Sequence, residues 1–235
     1  MTGTPATLQD WRDQLKTQIE EQSRLVERVI ETAVEAIFER DADKARRVIE
    51  HDEVVDRVDV QIEKSAVAFL HEATRQAGAG LAEHDIRLVL TIVKANNELE
   101  RIADLAVSIA EQVDGVRALA DSPPAKFRVM ANSVIGIMQN TNTALEHLDD
   151  QAAQLVLASD DATEAFKQAI LREVEEKLAR GELSVDFAFA LHIVAASLGR
   201  MADHCTNIAE QIIYVQSGKI VRHTDSKWTA PAPPE

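Results

Sequence analysis

A 235-residue chain with 46% apolar but only 4% aromatic side chains and eight glycines can bury a core of aliphatic and small residues, a composition poor for β-rich folds and suited to helices. Forty acidic against 25 basic residues leave a formal charge of −15, which excludes a broad basic face for nucleic acid and favours cations or basic protein surfaces as partners. The single cysteine, Cys205, excludes internal disulfides and cysteine-based zinc sites.

Prolines occur at positions 5, 123, 124, 231, 233 and 234 only, so two long proline-free tracts flank Ser122-Pro123-Pro124. In the first tract, apolar residues at helical spacing (Leu15, Ile19, Val26, Val29, Ile30, Ala33, Ile37) predict a helix from Leu8 to about Arg40. Asp41-Ala42-Asp43 supplies a turn and cap. A second helix is predicted from Asp43 to Gln76, ended by Gly78-Ala79-Gly80, and a third from Glu83 to Val113, stopping at Asp114-Gly115. The second tract predicts helices over Lys126–Leu157, from a Ser159-Asp160 cap to Gly181, and from Ser184 to Gln216. The fold class read from this pattern is all-α, as two tandem antiparallel three-helix bundles. Their bounds are residues 8–120 and 125–218, with a C-terminal tail over 219–235 that is expected to be disordered at its end, Lys227–Glu235. No leader and no membrane-length apolar run is visible, so the expected location is the cytoplasm, with no direct membrane insertion.

The two halves are copies. Residues Glu98–Val113 return 99 positions later as Ser197–Ile212, with Leu, Arg, Ala, Asp, Ile, Ala, Glu and Gln at matching places. On a helix, Leu99, Ile102, Ala103, Ala106, Ala110 and Val113 share about 100° of arc, with Glu100, Asp104 and Glu111 along its margin. The second copy keeps Asp203 and Glu210 on that margin and replaces Glu100 by Gly199.

A second acidic edge lies on the second helix. Asp52, Asp56, Asp59 and Glu63 fall within about 60° of arc. Like charges four residues apart cost roughly 0.2–0.5 kcal/mol per pair on an isolated helix, a cost that water or a hard cation relieves. Packing this helix on the third brings Asp52, Asp56 and Asp59 towards Glu100 and Asp104. In the second half, at an offset of 108, Asp52 becomes Asp160, Asp56 becomes Glu164 and Asp59 becomes Lys167. That half has lost two carboxylates and gained an ammonium. All-carboxylate ligation suits Mg, Ca, Mn, Fe or Zn to differing degrees.

No Glu-x-x-His motif of the di-iron type, no close histidine pair, no phosphate-binding glycine loop and no nucleophile motif is present. The expectation is a protein that is not an enzyme. His204, beside Asp203, is the histidine most worth following.

Leu99-Glu100-Arg101-Ile102-Ala103-Asp104 with Ile109-Ala110-Glu111, the segment from Arg200-Met201-Ala202-Asp203-His204 to Ile220-Val221-Arg222-His223, and Asp85-Ile86-Arg87 together resemble the PhoU family. The resemblance spans about residues 10–223. It implies two pseudo-symmetric three-helix bundles, often as a homodimer, and divalent or trivalent metal ions held by Glu/Asp-x-x-x-Asp motifs. Here those motifs fall on Asp52 with Asp56, Glu100 with Asp104, Asp160 with Glu164, and Asp203 alone. It further implies a regulator that links the phosphate ABC transporter to its sensor histidine kinase and dampens the starvation response. Two departures stand out: Gly199, which places the second metal cluster in question, and the proline-free segment Gln76–Glu83. The competing reading is a metal-free adaptor whose acidic ridges bind a basic partner surface.

Overall fold

The computed structural model describes residues 7–75, 81–219 and 221, without the side chains of Asp160 and Asp161. The tail and the Gly78-Ala79-Gly80 stop therefore fall almost wholly outside the described residues. Among the described residues there is no strand. Helix α1, Leu8–Glu39, starts at a capping box in which Asp10 N–H donates to Thr7 Oγ1 (3.1 Å) and Thr7 N–H to Asp10 Oδ2 (2.9 Å). Its buried face is the predicted stripe from Leu15 to Ala33. A turn at Arg40, with φ 58°, leads into α2, Ala42–Arg75. Asp41 caps α2 by accepting from the N–H groups of Asp43 (2.9 Å) and Lys44 (3.0 Å).

Helix α3, Glu83–Ala110, is extended by a short turn of helix, α4, Gln112–Val116. The predicted stop at Asp114-Gly115 thus comes too early, because buried Val113 and Val116 hold the extra turn onto the core despite Gly115. The linker through Pro123-Pro124 is clasped from both sides. The Arg40 guanidinium donates to the carbonyls of Leu119 and Asp121. Asp121 accepts from both the N–H and the hydroxyl of Ser184 at 2.9 Å.

The second repeat is built from α5 (Ala125–His147), α6 (Asp150–Ala158), α7 (Asp160–Ala179) and α8 (Val185–Ser217). Here the predicted boundaries shift. The fourth helix ends at His147 rather than Leu157, and the chain turns at Leu148, with φ 50°. Asp149 then caps α6 by accepting from Gln151 N–H (2.8 Å) and Ala152 N–H (3.3 Å). This is the Arg40-Asp41 turn repeated 108 residues later, down to the bonds Asp41 N–H to Ala36 O and Asp149 N–H to Ala144 O, both 3.0 Å. Ser159, predicted as a cap, makes no side-chain cap and marks only a break between α6 and α7, which together are the counterpart of α2.

The bundles share one contiguous core, and α3 packs most extensively on α8. Arg87 Nε reaches Val215 O (3.2 Å), Thr91 Oγ1 reaches Gln211 O (3.2 Å) and Glu98 Oε2 meets His204 Nδ1 (2.6 Å). Each step up α3 is matched by an equal step down α8, so the repeated stretches lie antiparallel, related by a pseudo-twofold. Across α1 and α5, Arg24 pairs with Glu146 (2.7 Å) and Asn142 Nδ2 donates to Glu27 (2.5 Å). Contrary to the sequence expectation, α8 contains an 18-residue window with mean hydropathy 1.4, apolar enough by composition to cross a membrane. Its packing against α3, α5, α6 and α7, with 61% of that window buried, accounts for the hydropathy as that of a central core helix.

Candidate functional site

The buried stripes of α2 (Val48, Val55, Ile62) and α3 (Leu99, Ile102, Ala106) pull the two helices together, and this sets their acidic margins side by side. Asp52 is half-buried, and one of its oxygens, Oδ1, is fully enclosed without a hydrogen-bond partner. Burial first, then the negative charges of Asp56, Asp104, Glu100 and Glu53, push its carboxyl up to about 6. Glu100 is raised for the same reason, by burial and by Asp104, with Arg101 acting against the shift. Its Oε2 is also enclosed and without a hydrogen-bond partner. Asp59 is raised by burial and by Glu63 and Asp56. Asp56 and Asp104 stand exposed at the rim.

Five of the sequence-predicted residues, Asp52, Asp56, Asp59, Glu100 and Asp104, therefore share one electrostatic neighbourhood across the α2–α3 seam. Arg101 lies alongside, 3.4 Å from Glu100 and 3.7 Å from Asp104. Among the described residues no three acidic, histidine or cysteine side chains are drawn into a ready metal cage. The donor chemistry nonetheless fits a hard cation, because Asp52 Oδ1 and Glu100 Oε2 are enclosed without a hydrogen bond, the second of them 3.4 Å from the Arg101 guanidinium.

Asn96 is a member of the site that sequence reasoning missed. Fully buried on α3, it donates through Nδ2 to the carboxylate (2.6 Å) and carbonyl (3.1 Å) of Asp59, tying the acidic ridge to the neighbouring helix. The available signal was a polar residue on the apolar stripe between Ile92 and Leu99.

The second repeat differs. The side chain of Asp160 lies outside the described residues. Glu164 is bonded to the Lys167 ammonium, 2.9 Å from Gln168 Nε2, and held below the usual carboxylate range by those two bonds. Asp203 is exposed on α8. The Lys167 stem passes over Gly199, where a Cβ would stand 2.9 Å from Lys167 Cδ. The first repeat's donor set is not reproduced. His204, singled out by sequence, joins neither ridge. It pairs with Glu98, which also accepts from Asn207 Nδ2 (3.1 Å), and so stitches the repeats together.

Comparison with known proteins gives a consistent result. The PhoU domain family model matches residues 19–113 and again 127–212. The phosphate-specific transport system accessory protein PhoU homolog 1 of Thermotoga maritima is 28% identical over 211 residues, 87% of each chain. The corresponding homolog of Pseudomonas putida is 30% identical, covering 86% of this chain and 78% of its own. The crystal structure of PhoU from Pseudomonas aeruginosa superposes with a TM-score of 0.84 at 26% identity, covering 91% of this chain and all of that one. With both repeats matched by the family model and the same tandem architecture in a solved relative, the chain belongs to the PhoU family.

Proposed function

We propose that this protein is a cytoplasmic, non-enzymatic regulator of phosphate uptake and starvation signalling. In this reading it links a phosphate ABC transporter to its sensor histidine kinase, as a homodimer, and represses the response when phosphate is plentiful. The relatives' names, accessory proteins of a phosphate-specific transport system, support the transporter side of this reading. The observation that carries the mechanism is the pair of enclosed carboxylate oxygens without a hydrogen bond, Asp52 Oδ1 on α2 and Glu100 Oε2 on α3, whose carboxylates repel one another across the seam. A metal ion held there by Asp52, Asp56, Asp59, Glu100 and Asp104 would supply positive charge beyond that of Arg101. Asn96 orients Asp59 towards the neighbouring helix, and Arg101 already offsets part of the repulsion at the rim.

The test is alkaline phosphatase activity in phosphate-replete cells carrying or lacking the gene. High activity in the deletion strain, restored to low by the wild-type gene, is the expected outcome, and unchanged activity refutes the circuit. Metal content of protein purified without chelator, compared with D52N and E100Q, tests the metal ridge separately. The adaptor reading has its own support in Arg101, whose guanidinium contacts Glu100 and Asp104 as a partner's basic side chain would. It is favoured if wild-type protein carries no metal and both variants lose partner binding.

A further inference from the structure

The repeats are unequal at one three-dimensional position reached by two separate substitutions. On α3 the first repeat carries Glu100, and at the matching place α8 carries Gly199. On α2 the first repeat carries Asp59, and α7 carries Lys167. These changes sit in contact. A Cβ built on Gly199 would meet Lys167 Cδ at 2.9 Å, Nζ at 3.4 Å and Cε at 3.7 Å. The lysine stem occupies the space over the helix that any side chain at position 199 would need. Lys167 is 22% exposed, and its ammonium bonds to Glu164, the counterpart of Asp56. An acid has been removed, a cation put in its place, and the backbone cleared to admit it.

We propose that Lys167 is the resident cation of the second repeat, neutralising the α7–α8 seam permanently. Metal loading is then confined to the α2–α3 seam. An ammonium is a compact point charge with three donors, able to bind one carboxylate tightly but unable to serve as a ligand. A divalent ion entering here would have to break the Glu164 contact, expel a like charge and bind without the carboxylate that Gly199 lacks. The metal half of this inference rests on the metal reading of the first repeat proposed above.

The experiment uses the full chain and Mn²⁺ as probe, reading bound manganese per chain after dialysis and the shift in melting temperature on adding the ion. Four proteins are compared: wild type, D52N/D56N/E100Q, and K167D/G199E in each of those two backgrounds. The expected results are uptake by wild type, loss of uptake and of the melting shift in the triple variant, and their return when K167D/G199E is added to it. Uptake retained by the triple variant, or no return with K167D/G199E, overturns the proposal. If wild type itself takes up no manganese, the first-repeat metal reading fails. The K167D/G199E arm still decides the role of Lys167. Should that variant not fold, G199A is compared in wild-type and K167A backgrounds with chelator present. A larger rise in melting temperature in the K167A background is expected, and equal rises overturn the contact on which the proposal stands.

Discussion

At the scale of single residues, the charged form of Asp52 is held at a cost to the fold. Its carboxyl, raised to about 6 by burial and neighbouring acids, titrates near 3.9 when unfolded. Between those values the native state binds more protons than the unfolded chain, so this group's contribution makes the fold more stable as pH falls from neutral through about 6, levelling off below about 4. Asp59 and Glu100, raised for related reasons, add the same sign. Asp41, Asp121 and Glu146 are shifted downward by hydrogen bonds and oppose this only at lower pH, as they become protonated. Metal-free D52N should therefore melt higher than wild type at pH 7.5 and show a shallower rise in melting temperature towards pH 5, measured with chelator present. The Lys167–Gly199 contact predicts non-additivity as well. Alanine for glycine within a helix is worth about 1 kcal/mol, and the part of that gain withheld by Lys167 should appear in a double-mutant cycle as a coupling of at least about 0.5 kcal/mol.

At the scale of the element, the informative feature is the start of α6. A leucine at φ 50° takes a conformation that usually selects glycine or asparagine, yet Leu148 packs its side chain on the core, and Asp149 immediately caps the next helix. Asp149→Ala should cost about 1 kcal/mol in urea unfolding, as N-cap deletions do. Ser159→Ala should lie within roughly 0.5 kcal/mol of wild type, because its hydroxyl only bonds back to Leu155 O and caps nothing. Equal effects at both positions would return the helix boundary to Ser159. The boundary was legible in principle: with the 108-residue offset, Arg40-Asp41 maps onto Leu148-Asp149. Local turn chemistry hid it, since Leu148 is a poor turn residue and Ser159-Asp160 a good cap pair.

At the scale of the molecule, the repeats are tied along α3 and α8. Ile102, Ile109, Leu198 and Ile208 belong to one continuous core, and Glu98, His204 and Asn207 close the seam at its surface. Thermal unfolding is expected as a single transition by both circular dichroism and calorimetry, rather than one per repeat. Ile109→Ala, which removes a fully buried side chain from α3, should lower stability by about 2–5 kcal/mol and keep the transition single. Two resolved transitions would mean that the bundles unfold independently despite their shared core.

Periodicity, the proline pair and the repeat were enough to establish six long helical arms in two copies, because a 3.6-residue pattern and helix-breaking residues act locally. They also placed Asp52, Asp56, Asp59, Glu100 and Asp104 on the margins of apolar stripes that had to meet. Family resemblance rested on the same residues, and the match over both repeats bears it out. What required the tertiary structure was how each charge is answered. Asn96 reaches Asp59 across the seam, His204 turns to Glu98 on the other bundle, and Lys167 lies over Gly199. Spacing along a helix states which residues share a face. Which neighbour desolvates, bonds or neutralises them depends on the packing of a second helix, and that contact is set by the core as a whole.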